Sequence, residues 1–214
     1  MTIRVMSKLA GIPVEIMEIK INANPNICNS INIDEVSRRI TSNYPSPRDI
    51  TGDPRVREYR RTLWSFKIDP TKTRPSPEAL LRRLVRGKGF PLVNCAVDMV
   101  NLASMEYIVC IGLYDRRKLP SKHIILKTSS GSQTFYLLGG NERILPVGVP
   151  IVVSGDIVIH QYSSRDSRLT SVDYSSEYLV AIAYGHLGDD PEYLKESLNR
   201  FKELIDMCGC LKEL

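Results

Sequence analysis

The chain has no Cys-x-x-Cys pair, and its five cysteines, at positions 28, 95, 110, 208 and 210, are odd in number. That excludes the even, regularly spaced framework of a small secreted disulfide scaffold. Its three histidines, His123, His160 and His186, stand far apart, so metal-ligand spacing is absent and no metal is expected. Cys208-Gly209-Cys210 comes nearest to such a motif, and its simpler reading is a pair of thiols at a frayed helix end. Nowhere does an apolar run approach the ~20 residues that span a bilayer. Near the amino terminus, Arg4, Lys8, Glu15, Glu18 and Lys20 interrupt every apolar run, which excludes a signal-peptide core. The expectation is a soluble cytoplasmic protein with no membrane partner. A G-x-S-x-G elbow, a phosphate-cradling glycine loop and a dinucleotide fingerprint are also missing, so no cofactor is expected.

What is present suits one domain over 1–214, with strands and a helix in an extension over 1–50 and a helix over 190–210. The net charge is only +5, but it is unevenly placed. The window from Arg55 to Lys88 holds eleven basic residues and three acids, leaving the rest of the chain net negative. Arginine dominates that window, and its planar fork suits phosphate contact and base stacking. A local basic patch of this kind fits a polyanion; it also fits a solvated helix face partly paired with acids.

Two helices carry the patch. Asp53-Pro54 is a capping residue followed by a first-turn proline. Beyond it, Val56, Tyr59, Leu63 and Phe66 fall on one face and Arg57, Arg60 and Arg61 on another. Trp64 is expected in the core. Ser76-Pro77-Glu78 opens a second helix, with Leu80, Leu81, Leu84 and Val85 inward and Arg82, Arg83 and Arg86 away; Gly87 and Gly89 can close it. The two helices are expected side by side. Residues 93–105 are mostly apolar, with Asp98 and Asn101 one helical turn apart and able to point inward together. Strands are expected over 2–6 and 12–21, then in HIILKT, QTFYLLG, VPIVVS, DIVIHQY and EYLVAIAYGH. Asn22 to Ile31 and SNYPSPRDITGDP read as loops. Asp34-Glu35 opens a short helix, and Asp190-Pro191 opens a last one with a clear apolar stripe.

The string DPTKTRPSPEALLRRLVRGKGFPLVNCAVDMVNLAS, with VREYRR before it and IGLYDRRKLP, LLGGNE, GVPIVVSGD and SSRDSRLTSV after it, resembles freestanding B3/4-domain proteins. Those proteins are similar to the tRNA-editing domain of the phenylalanyl-tRNA synthetase beta subunit. The resemblance runs from about Val56 to Gly185. It implies an α+β fold, a mixed sheet covered by helices, closed here by the carboxyl-terminal amphipathic helix. It also implies hydrolysis of a mischarged aminoacyl ester at a tRNA 3′ end, and no ATP-dependent ligase activity. The partners implied are tRNA and the amino acid moiety it carries. The sequence departs from the synthetase pattern at Gly112, where bacterial synthetases carry a pocket histidine, and in 178–183, where an acid is missing.

An aminoacyl ester is already activated, so a hydrolase needs mainly to position water and stabilise an oxyanion. The catalytic candidates are Asp166, Arg165 and Asn101. The pocket candidates are Asp98, Asn101, Gly112, Asp115 and His160. The RNA-binding candidates are Arg57, Arg60, Arg61, Arg74, Arg82, Arg83 and Arg86. Arg165 could meet a carbonyl or the terminal phosphate with Asp166 orienting it, or the two could form a structural ion pair. His160 lies on an alternating strand as a base or as an ordinary surface or core residue. A non-catalytic RNA-binding module and a binder of small amino acid-like ligands are the alternatives.

Overall fold

The computed structural model describes residues 2–22 and 28–212. In chain order the elements are β1 (Arg4–Ser7), β2 (Val14–Ile21), α1 (Ile33–Thr41), α2 (Pro47–Gly52), α3 (Pro54–Ser65), α4 (Ser76–Val85) and α5 (Cys95–Tyr107). There follow β3 (Cys110–Asp115), β4 (His123–Thr128), β5 (Thr134–Tyr136), β6 (Glu142–Ile144), β7 (Pro150–Ser154), β8 (Ile157–Gln161) and β9 (Arg165–Asp166). The chain ends with β10 (Tyr178–Tyr184), α6 (Pro191–Met207) and β11 (Leu211–Lys212).

The fold is α+β. Five strands form one sheet in the order β1-β4-β7-β8-β9, with β1 parallel to β4 and the other pairs antiparallel. Four form an antiparallel sheet in the order β11-β2-β10-β3, and β5-β6 is a separate ribbon. Strand β10 shows how the layers are built. Its period-2 alternation sends Leu179, Ala181 and Ala183 into one core, with α5 and α6, and Val180, Ile182 and Tyr184 into another, with α3 and the five-stranded sheet. A strand buried on both faces reads as a continuous apolar run, as YLVAIA does. The apolar stripe of α6 (Leu194, Leu198, Phe201, Leu204, Ile205) closes the first core. Each such side chain contributes roughly 1.5–3 kcal/mol by leaving water.

Local chemistry sets the helix starts. The Asp53 carboxylate accepts from Arg55 N and Val56 N, and Pro54 takes the first helical position. Asp190 and Pro191 repeat the device at α6. Three expectations are corrected. SNYPSPRDITGDP is not all loop, because Ser46 and Asp49 form a reciprocal capping box that starts α2. Trp64 is 57% exposed rather than in the core, since Val56, Tyr59, Thr62 and Leu63 take the buried face of α3. Cys208 is no frayed thiol: it caps α6 and is disulfide-bonded to Cys28. The reading of Asn22 to Ile31 as loop falls partly on 23–27, outside the described residues. Helices α3 and α4 are joined by α2, which packs on both, and by an ion pair.

Candidate functional site

The free edge of each large sheet meets the other. Strand β9 ends the five-stranded sheet, β3 ends the four-stranded one, and they lie against each other. At this seam the second core contains a polar cluster. His160 of β8 pairs with Asp166 of β9, its Nδ1 lying 2.7 Å from Asp166 Oδ1. The imidazole stacks on the Tyr184 ring, centroids 4.6 Å apart. The Tyr184 and Tyr114 hydroxyls are 2.8 Å apart, and Tyr114 also hydrogen-bonds Asp166. Leu113 N donates to Asp166 Oδ2 at 3.4 Å.

With Asp166 as a carboxylate and His160 as a neutral imidazole, proton counting gives one consistent set of directions. Burial, then the Asp166 carboxylate, holds the Tyr114 phenol far above its ordinary range, and burial does the same for Tyr184, so both stay protonated. Tyr184 can donate to Tyr114, Tyr114 to Asp166, and His160 Nδ1–H to Asp166. The His160 Nε2 lone pair is then the one left over, and that nitrogen is buried with no hydrogen-bond partner among the described residues. A carboxylate-oriented imidazole with a free Nε2 lone pair is the tautomer of a general base. Asp166 keeps 26% of its side chain exposed against 3% for His160, so the carboxylate stands at the rim with the ring behind it.

Gly112 explains why this cluster fits. A Cβ there would lie 2.1 Å from the Tyr114 hydroxyl and 2.8 Å from Asp166 Oδ1. The volume that a side chain at 112 would fill belongs instead to the cluster.

Two anchors bring the basic helices to the seam. The Tyr59 hydroxyl of α3 donates to Tyr184 O at 2.6 Å and accepts from Cys110 N at 3.3 Å. Ser76 N, at the start of α4, donates to Ser163 O in the β8–β9 turn at 2.7 Å. Burial pushes the Cys110 thiol up to about 12, so it is no nucleophile.

The remaining candidates divide. Asp98 and Asn101 lie on α5, which packs on the opposite face of the four-stranded sheet from His160 and Asp166, so the sheet separates them. Asp115 is buried as a cap, accepting from Arg117 N and the Ser176 hydroxyl. Arg165 is exposed, and Asp166 pairs with His160 rather than with it. Its charge, after burial, lowers the pKa of Arg143 on β6, so two guanidinium groups share that rim. Of the RNA set, Arg60 and Arg82 are held by the buried Glu78, and Arg83 Nε donates to Gly89 O. Arg61 pairs with Glu58 on the surface. Arg57 and Arg86 are exposed and stand in no salt bridge among the described residues. Arg74 Nε is buried without a hydrogen-bond partner among the described residues, two residues before Ser76. Exposed Arg57, Arg61 and Trp64 follow one another at helical spacing, making a basic stripe with an aromatic at its end.

Sequence reasoning missed Arg143, Tyr114, Tyr184 and the outward Trp64. Tyr114 and Tyr184 are brought together by the pairing of β3 with β10, and Arg143 arrives from the separate β5–β6 ribbon through its side chain, which donates to Gln161. Trp64 was findable, because at four and seven residues from Arg60 and Arg57 it shares their face.

Asp98 carries a separate expectation. Its Oδ1 accepts from Val93 N at 2.9 Å, Oδ2 has no partner among the described residues, and burial raises its pKa to about 6. The folded state therefore holds this proton more tightly than the unfolded chain. The stability this confers is complete below about pH 4 and lost as pH rises to 6. Asp98→Asn is expected to raise stability at pH 7 by on the order of 1–3 kcal/mol and to change little at pH 4, as read by urea denaturation at both pH values. An equal effect at the two would refute it.

Comparison with known proteins gives a family match: the model described as B3/4 domain covers residues 58–208. Among solved structures, an N-terminal fragment of the phenylalanyl-tRNA synthetase beta subunit from Pyrococcus horikoshii aligns at 11% identity with a TM-score of 0.46. That alignment covers 92% of this chain and 75% of that one. No curated protein matches the chain.

Proposed function

The chain belongs to the B3/4 domain family, and from that premise we propose that it binds the acylated 3′ end of tRNA and hydrolyses a mischarged aminoacyl ester in trans. The observation that carries the reading is the His160–Asp166 pair, its Nε2 unpartnered, at a seam to which the arginine-bearing helices are anchored. Beside Gly112, His160 of β8 and Asp166 of β9 offer an imidazole and an acid. Water activated at His160 Nε2 would attack the ester carbonyl. Arg165 and Arg143 at the rim offer charge to the terminal phosphate. The stripe of Arg57, Arg61 and Trp64 offers phosphate contact and a stacking surface for an unpaired base.

Incubating the protein with a panel of mischarged tRNAs tests the reading. Cleavage above the spontaneous rate is expected for at least one ester, and none across the panel removes the proposal. Arg57→Glu with Arg61→Glu is expected to flatten the dependence of log affinity on log salt by roughly 1 for each arginine replaced. Trp64→Ala is expected to cost about 1–3 kcal/mol of binding. Unchanged RNA affinity in both variants would discard this surface.

The second reading is RNA binding without turnover, favoured by the near-complete burial of the His160 ring. Salt-dependent tRNA binding with no deacylation of any ester selects it.

A further inference from the structure

Four of the five cysteines meet at one point, although they come from three separated parts of the chain. Cys28 precedes α1, Cys95 is the first residue of α5, and Cys208 and Cys210 flank Gly209 after α6. The Asn94 side chain fixes the first turn of α5 by accepting from Val97 N. Gly209, at φ 66°, reverses the chain in a conformation that suits glycine, which lets Cys208 and Cys210 serve the same point. The sulfurs of Cys28, Cys95 and Cys208 all lie within 4.8 Å of one another, and Cys210 Sγ lies 3.7 Å from Cys95 Sγ. Three of the four residues are buried. Cys110, the fifth, sits in the other core.

We propose that Cys28, Cys95, Cys208 and Cys210 form a four-thiolate site for a tetrahedral divalent ion of the zinc type in the reduced protein. A Zn–S bond of about 2.3 Å sets the edge of an S4 tetrahedron near 3.8 Å, and the Cys95–Cys210 separation already matches it. All-sulfur donors in tetrahedral array select zinc over hard oxygen-seeking ions. The site joins the segment after β2, the start of α5 and the end of α6, so the ion is structural and every coordination position is taken by protein. The Cys28–Cys208 disulfide is the oxidised form of the same site. A phosphine reductant opens it: the phosphine becomes a phosphine oxide with the oxygen of one water, and the two hydrogens of that water go to the two sulfurs. Zinc then displaces four thiol protons.

The full chain, reduced with a trialkylphosphine and stripped of metal and excess reductant, is titrated anaerobically with Co2+ and then with Zn2+. One Co2+ per chain is expected, with the visible d–d bands and sulfur-to-cobalt charge-transfer band of a tetrahedral thiolate site, bleached by one equivalent of Zn2+. Cys110→Ser should reproduce the parent, and Cys95→Ser with Cys210→Ser should lose the bands. Reduced parent protein without tetrahedral bands, or bands that survive in the double variant, overturns the proposal. The parent titration decides even if the double variant does not fold.

Discussion

Glu78→Ala is expected to lower the unfolding free energy by about 3–5 kcal/mol, through the penalty of leaving buried charge uncompensated. Glu78 is fully buried, and its two oxygens are divided between two guanidinium groups: Oε2 lies 3.1 Å from Arg60 Nε and Oε1 lies 2.7 Å from Arg82 Nε. Arg82 also donates to the Thr51 hydroxyl of α2. One carboxylate thus holds α3 to α4 and neutralises two cations. Without it the guanidinium groups repel each other against a cavity. Arg60 and Arg82 retain 19% and 14% of their side-chain exposure, and that contact with water favours the lower end of the range. The melting temperature should fall by on the order of 10 °C. Arg61→Ala provides the contrast, since its pair with Glu58 is solvated and is worth at most about 0.5 kcal/mol. A loss below about 1 kcal/mol for Glu78→Ala would mean that the bridge does not hold the helices together.

The same bridge marks where the sequence was legible and where it was not. Cap and proline pairs at Asp53-Pro54 and Asp190-Pro191 announced α3 and α6, because capping is chemistry between residues two or three apart. The alternation in DIVIHQY announced β8. Strand β3 did not announce itself: all six of its residues are buried, so it lacks the polar half of the strand pattern. The seam was less visible still. His160 and Asp166 were each named as candidates, but what joins them to Tyr114 and Tyr184 is register between strands up to 70 residues apart. Asp98 and Asn101 were grouped with them because helical spacing gives a shared direction but not which face of a sheet the helix covers. The arginine window shows the converse error. Eleven like residues in one segment looked like one surface, yet a single buried acid diverts two of them into structural work. Trp64, counted as core from residue type alone, stands among those left outside.

The largest expected effect on chemistry is that of Asp166→Asn, which changes one atom and leaves the shape of the seam intact. Leu113 N–H can only donate, so the amide oxygen is expected at the Oδ2 position that accepts from it, and the amide NH2 then faces His160 Nδ1. Tyr114 can turn its proton to Tyr184, but one hydrogen bond between two phenols uses one proton, so the other is left without its acceptor. His160 Nδ1 must now accept, its proton moves to Nε2, and the lone pair that would take a proton from water is gone. Deacylation of the ester identified in the panel should fall by on the order of 10²–10⁴-fold in kcat, with tRNA affinity close to the parent's and a loss of stability of about 1–3 kcal/mol from the unpaired phenol proton. His160→Ala should show a comparable loss of turnover, accompanied by destabilisation from the emptied space against Tyr184. Turnover that survives Asp166→Asn would detach the chemistry from the His160–Asp166 pair and leave the substrate's own ribose hydroxyl as the group that assists the water.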